Sequence, residues 1–151
     1  MTTVKGEHHG ETALDIAMHT AGNASITMTD QPAAAGFPGG TAGNRMIRKV
    51  DLTNYSQARI LVHMNTTAGA AGAIIALRYS TSYTTTAGSY SVAGASSTEI
   101  SASLAVASTM ADSGWIDLEP TAKADVYIAP IAVNGDAAAD PVVSAINVQF
   151  R

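Results

Sequence analysis

Between residues 51 and 82 the chain reads DLTNYSQARILVHMNTTAGAAGAIIALRYSTS, two alternating runs separated by a small-residue turn. In the first run Ala58, Ile60, Val62 and Met64 share one face, opposed by Arg59, Leu61 and His63. In the second, Ala73, Ile75, Leu77 and Tyr79 oppose Ile74, Ala76 and Arg78. Successive side chains of a strand point to opposite faces, so each run predicts a strand buried on one side, and the turn between them predicts a hairpin. The turn itself, TTAGAAG, is too small and uncharged to do chemistry.

Similar runs recur along the chain with turn residues between them. Strands are predicted over 26–29, 46–52, 58–64, 73–81, 100–107, 115–118, 126–133 and 142–150. Eight antiparallel strands in two packed sheets is the count of a jelly roll, so the expected fold is an all-β sandwich of jelly-roll type. The last strand, VVSAINVQFR, alternates Ile146, Val148 and Phe150 against Asn147, Gln149 and Arg151 up to the final residue, which predicts a C-terminus tied into a sheet.

Residues 1–24 break this pattern and are expected to form an extended arm ahead of a sandwich domain over 25–151. Within the arm, Leu14, Ala17 and Met18 fall at helical spacing, which predicts one or two helical turns between Gly10 and Gly22. So short a helix is marginal in water and needs a surface to lie on. Two further segments read as loops. QPAAAGFPGGTAGN, residues 31–44, has Phe37 as its one large apolar group, which either anchors a neighbour or tucks back onto its own domain. YTTTAGSYSVAGASS, residues 83–97, reads as a long hairpin or projecting loop carrying Tyr83 and Tyr90, or as an edge strand with exposed tyrosines.

Charge narrows the range of partners. Lys, Arg, Asp and Glu make up 13% of the chain, about half the usual share, so the surface repels neighbours weakly. A formal net charge of -4 argues against nucleic-acid binding, which needs a basic stripe to displace counterions. The one basic cluster, Arg45, Arg48 and Lys49, fits a strand edge protected by charge better than a phosphate site, with an acidic protein patch as the alternative. The absence of cysteine removes disulfides and thiolate metal sites. No apolar run is long enough to span a bilayer, and MTTVKGEHHGE lacks the apolar core of a signal peptide. No membrane partner is expected, and synthesis in a host cytoplasm is.

Candidate chemistry is sparse. There is no G-x-S-x-G elbow, and the glycines from Gly36 to Gly43 lead to Asn44 and Arg45 rather than to the Lys and hydroxyl of a phosphate loop. His8 and His9 beside Glu7 and Glu11 read as a solvated polar arm rather than a zinc site, because adjacent histidines in a glycine-flanked segment diverge. Asn134, Asp136 and Asp140 in NGDAAADP offer oxygens suited to calcium, but Asn-Gly-Asp is also a tight-turn sequence, and the turn is favoured. No catalytic residue, metal site or cofactor is therefore expected. Trp115, the single tryptophan, shares its face with Asp117 and either seals the end of the sandwich or stands as an outer platform.

The succession DLTNYSQARI, AGAAGAIIALRYSTS, GWIDLEP and IAVNGDAAADP, closing on INVQFR, resembles the small β-sandwich head decoration, or cement, proteins of tailed bacteriophages over about residues 45–151. The resemblance implies a non-enzymatic virion structural protein that binds the major capsid protein on the outer shell, as a trimer or other small homo-oligomer. It also implies an extended arm that reaches neighbouring subunits; together with the loops read from the sequence, the candidate contacts are His8, His9, Leu14 and Met18 from the arm, Phe37, Tyr83 and Tyr90 from the loops, and the basic cluster Arg45, Arg48 and Lys49. A carbohydrate-binding or adhesion module, with Trp115 exposed, and a phage tail protein are the alternative readings.

Overall fold

The two alternating runs of residues 51–82 both form strands, yet they lie in different sheets. The computed structural model describes residues 14–19, 26–27, 37, 46–66, 73–104, 110–134 and 142–151. Among these residues there are eleven strands: β1 (Leu14–His19), β2 (Ile26–Thr27), β3 (Arg48–Asp51), β4 (Gln57–Thr66), β5 (Ala73–Ser80), β6 (Ser91–Val92), β7 (Ile100–Leu104), β8 (Met110–Asp112), β9 (Ile116–Asp117), β10 (Asp125–Asn134) and β11 (Val142–Phe150). β4 pairs with β11, β8 and β9, whereas β5 pairs with β10, β6 and β7. The expected hairpin is therefore replaced by a crossing between sheets. Alternation tells that a strand has one buried face, but not which strand lies beside it. Here the buried stripe of β4 (Ala58, Ile60, Val62) and that of β5 (Ile75, Leu77, Tyr79) join one core from opposite layers.

Short strands share positions at the sheet edges. β1 and β2 both run along β11, β8 and β9 both along β4, and β6 and β7 both along β5. The eleven strands thus fill eight positions. Numbered along the chain, these lie in the order first, eighth, third, sixth in one sheet and second, seventh, fourth, fifth in the other. Every pairing is antiparallel. The first pairs with the eighth, the second with the seventh, the third with the sixth and the fourth with the fifth. A ribbon of strand pairs wound in this way is a jelly roll, and the all-β sandwich expected from the sequence is the fold observed.

All eight predicted strands have counterparts, and three strands are additional: β1, β6 and β8. β1 corrects the helical turns expected at Leu14, Ala17 and Met18. The same segment also alternates, Leu14, Ile16 and Met18 against Asp15 and Ala17, and the open edge of β11 decides between the two periods. Paired in the register Leu14↔Phe150 to Ala17↔Asn147, β1 satisfies backbone groups that an isolated turn would leave to water. Six residues of the segment expected to be an arm therefore belong to the sheet.

The main core lies between the sheets. Ile60, Val62, Ile146, Val148 and Phe150 from one layer meet Ile75, Leu77, Ile100, Val126 and Ile128 from the other. A second, smaller cluster covers the outer face of β10, where Ala129 and Ile131 pack under Phe37, Ala87 and Tyr90. Burial on both faces explains why DVYIAPIAVN is nearly continuous in apolar residues instead of alternating. Pro130 lies beyond the β3 ladder, which ends at Ile128 opposite Arg48, so on that flank its missing N–H breaks no ladder bond.

Strand and helix make opposite demands on Ala17, exposed in β1 but on the apolar face of the helix first expected. Ala17→Lys is expected to change the urea-unfolding free energy by no more than about 0.5 kcal/mol. Met18→Ala, which empties a core position, should cost about 3 kcal/mol. A large loss with Ala17→Lys would contradict the strand.

Candidate functional site

Alternation sends one side chain in two away from the core, and on the β4–β11 sheet many of these outward residues are polar and connected. Arg59 Nε donates to Gln149 Oε1 at 2.7 Å, and Gln149 Nε2 donates to Asp15 Oδ2 at 2.9 Å. Asn147 Nδ2 donates to the other oxygen of Asp15 at 3.0 Å. On the other side Arg151 Nε donates to Gln57 Oε1 at 2.7 Å, and Gln57 Nε2 donates to Asp117 Oδ1 at 2.7 Å. The result is a belt of cross-strand polar pairs running from β1 to β9, each holding its neighbour in one orientation.

Trp115 interrupts this belt. β8 and β9 run along the same edge of β4, separated by Ser113, Gly114 and Trp115. Ser113 keeps the β4 ladder alive across the gap: its N–H donates to Ile60 O at 3.1 Å, and its Oγ accepts from Ile60 N at 3.0 Å. Gly114 follows at φ 70°, a backbone conformation that favours glycine, with its N–H donating to Asp112 Oδ1 at 2.8 Å. Such a bulge re-aims the next side chain. Trp115 lands with the guanidinium carbons of Arg59 and Arg151 at 4.7 and 4.4 Å from its ring centroid. Both arginines therefore combine ring stacking with a hydrogen bond to a neighbouring amide.

Beside the ring lies an open cleft of about 410 Å³ lined by Gln57, Ala95, Ser96, Thr98, Trp115, Ile116 and Asp117. Its far wall is the 3-10 turn Ala95–Ser97. Ser96 and Ser97 both have positive φ, 55° and 58°, which costs on the order of 1 kcal/mol or more for each non-glycine residue. The loop is pinned at both ends: Glu119 N donates to Ala93 O at 2.8 Å, and Thr98 N donates to Ala95 O at 3.1 Å. Gly94 pairs with Leu118 in an isolated bridge, and a Cβ there would stand 2.1 Å from Thr98 O.

The opposite outer face, on the β10–β5 sheet, carries the aromatic residues. Phe37 is 7% exposed and meets Tyr90 edge-on with ring centroids 5.9 Å apart. Tyr90, 3% exposed, donates its hydroxyl to Thr84 O at 2.9 Å. The segment 83–97 consequently folds back onto the sheet through a 3-10 turn, Ala87–Ser89, and does not project. Burial pushes the Tyr90 hydroxyl up to about 12, with Tyr83 and Tyr127 acting in the same direction. Tyr83 is 63% exposed and lies edge-on to Tyr127 at 5.7 Å. Lys49 Nζ stands 3.1 Å from Asp125 and 5.9 Å from the Tyr127 ring centroid, and the hydrogen bond to Asp125 raises its pKa. At the neighbouring end, Tyr79 Oη donates to Glu119 Oε2 at 3.0 Å, and burial is the leading cause that raises the Tyr79 hydroxyl. Burial also pushes the Glu119 carboxyl up, but hydrogen bonds from Tyr79, Thr121 and Ala122 outweigh it and the net shift is downward.

The residues singled out from the sequence are thus dispersed. Leu14 packs against the core edge and Met18 is inside it. Phe37 and Tyr90 meet on their own domain, the second of the two possibilities open for Phe37. Lys49 and Tyr83 remain at the surface near Tyr127, and Arg48 donates to Ile47 O at 3.1 Å. His8, His9, Arg45, Asp136 and Asp140 lie outside the described residues. Among the described residues no group of three or more His, Asp or Glu is placed to hold a metal ion. The sequence marked Trp115 and Asp117 as sharing a face, but it carried no signal joining them to Gln57, Ser96 and Thr98, which arrive from other strands and loops. Comparison of the chain with protein-family models, with curated proteins and with solved structures found no match.

Two outcomes follow from this geometry. A raised tyrosine pKa means that the folded state keeps the proton longer than the unfolded chain. The stability it confers is complete below about pH 10 and is lost as pH rises towards 12. Tyr90→Phe should cost about 1 kcal/mol at pH 7 through the lost bond to Thr84, and its urea-unfolding free energy should fall less steeply above pH 10 than that of the unaltered protein. Gly94→Ala should cost about 2 kcal/mol in the same measurement, because the backbone of Thr98 must move.

Proposed function

We propose that the chain is a non-enzymatic virion structural protein that decorates a capsid shell and binds the major capsid protein through an arm and loops. What supports the reading most is where the chain enters the sandwich. β1 forms the outer edge of its sheet, paired on one side to β11, and its other side carries no ladder among the described residues. Leu14 therefore begins an open strand edge, the position from which a segment reaches a neighbouring subunit or a second chain adds a strand. The low charge suits close apposition to other protein. Tyr83 and Met110, the two large apolar side chains that stand 63% and 55% exposed, supply contact area outside the core. Repeated weak contacts around a small oligomer, a trimer in this reading, add up to firm attachment.

The structure changes how this reading is tested. Deleting residues 1–24 would strip β1 from the sheet, so loss of binding could follow from damage to the fold. Deletion of residues 1–13 retains β1. In purified particles of the phage that encodes it, the chain should be present in copy number comparable to the major capsid protein. Purified protein should re-bind stripped shells and elute as an oligomer. The 1–13 deletion should keep the circular dichroism spectrum and lose shell binding. A few copies per particle would point to the tail, and full binding by the truncated chain would remove the arm from the mechanism.

A further inference from the structure

We propose that the cleft beside Trp115 is a binding site for a neutral saccharide, formed by Trp115, Gln57, Asp117, Ser96 and Thr98. The inference stands apart from the shell reading, because it concerns the outer face of the β4–β11 sheet and needs neither the arm nor a partner protein.

The cleft holds about 410 Å³ and is broadly open to solvent, room for a small ligand resting on the surface rather than enclosed by it. Its walls combine one aromatic ring with planar and hydroxyl groups. Gln57 is held from both sides, accepting from Arg151 and donating to Asp117, so amide and carboxylate are oriented before any ligand arrives. That arrangement occupies Asp117 Oδ1. Its Oδ2 has no partner among the described residues, and neither have the hydroxyls of Ser96 and Thr98. These are one strong acceptor and two groups able both to donate and to accept. Trp115 is half-buried, with the guanidinium carbons of Arg59 and Arg151 against its ring, and part of it lines the cleft.

This set selects among ligand classes. An anion would meet the Asp117 carboxylate, while the nearby guanidinium groups are already engaged with the ring and with Gln57, Gln149 and Asp112. A metal ion would find a single carboxylate. A wholly apolar ligand would cover Asp117, Ser96 and Thr98 and leave them unpaired, at about 1–3 kcal/mol each. A pyranose presents what the cleft lacks: apolar C–H groups for the part of the indole that lines it and a rim of hydroxyls that donate to a carboxylate and exchange hydrogen bonds with Ser and Thr. The two consecutive left-handed serines carry the same sense. Ser96 is held in a strained conformation by a loop tied to Glu119 and closed over Gly94, and strain of this kind accumulates where a loop must present groups in a set geometry.

The test uses the full chain. Glucose, galactose, mannose, N-acetylglucosamine and lactose are titrated separately while two signals are read: emission of the single Trp115 and backbone amide shifts in a uniformly ¹⁵N-labelled sample. At least one sugar should move both signals with a common midpoint near about 1 mM, with the amide changes centred on residues 95–98 and 115–117. Asp117→Asn and Thr98→Val should each weaken that sugar about tenfold while leaving the thermal unfolding midpoint and shell binding in place. The proposal is overturned if none of the five sugars gives a saturable change, if the amide shifts centre elsewhere, or if Asp117→Asn binds as tightly as the unaltered chain. Any of these results leaves the capsid reading standing. Loss of shell binding by the 1–13 deletion, in turn, says nothing about the cleft.

Discussion

The whole molecule depends on the burial of two apolar layers against each other. β4 and β11 at the centre of one sheet and β5 and β10 at the centre of the other each offer a stripe that water cannot be allowed to reach. Neither sheet has a second way of covering it. Hydrogen-bond pairing within a sheet fixes only neighbours. It is the need to face a second layer that sends β5 away from β4, despite their adjacency in the chain, and assigns the eight strand positions to alternate sheets. Once those four strands are in place the edges can be short and broken, and the strand breaks fall there: β1 with β2, β6 with β7, and β8 with β9.

Edge irregularity is also where the molecule acquires its chemical character. In the central pairs the register shifts stay near strand ends, at Val142–Ala145 of β11 and Ala132–Asn134 of β10. At the β8–β9 edge a bulge is tolerated because Ser113 bridges the missing pairing to Ile60. That small departure places Trp115 against Arg59 and Arg151 and brings it to the margin of a cleft whose other wall comes from a loop of the opposite sheet. A residue set spread over more than sixty positions of sequence is thereby collected on one face.

The two outer faces are treated differently for a physical reason. On the β4–β11 sheet Asp15, Gln57, Arg59, Asn147, Gln149 and Arg151 point outward and satisfy one another in a polar belt. On the β10–β5 sheet the outward positions Ala129 and Ile131 are apolar and must be covered, which Phe37, Ala87 and Tyr90 accomplish. The long polar segments that looked like free loops are in part a lid over this second cluster. Tyrosine and phenylalanine in a small-residue tract can serve either as contact points for a partner or as anchors to the parent domain. Here the apolar outer face of β10 settles it in favour of the anchor for Phe37 and Tyr90, while Tyr83 stays outside.

The period of two in residues 58–64, 73–79 and 142–150 was enough to determine strands, their buried faces and a sandwich, because alternation is a local property of an extended backbone. The same local signal was silent on partners, so the apparent hairpin between β4 and β5, the helical spacing at Leu14, Ala17 and Met18, and the exposure of Tyr90 were decided only when distant segments came together. The edge of β11 turned an ambiguous segment into β1, the second layer separated β4 from β5, and the outer face of β10 drew in Phe37 and Tyr90. Trp115 and Asp117 could be placed on one face from sequence alone. Their meeting with Gln57, Ser96 and Thr98 belongs to tertiary structure, because no spacing along a chain encodes the distance between a bulge on one sheet and a loop leaving the other.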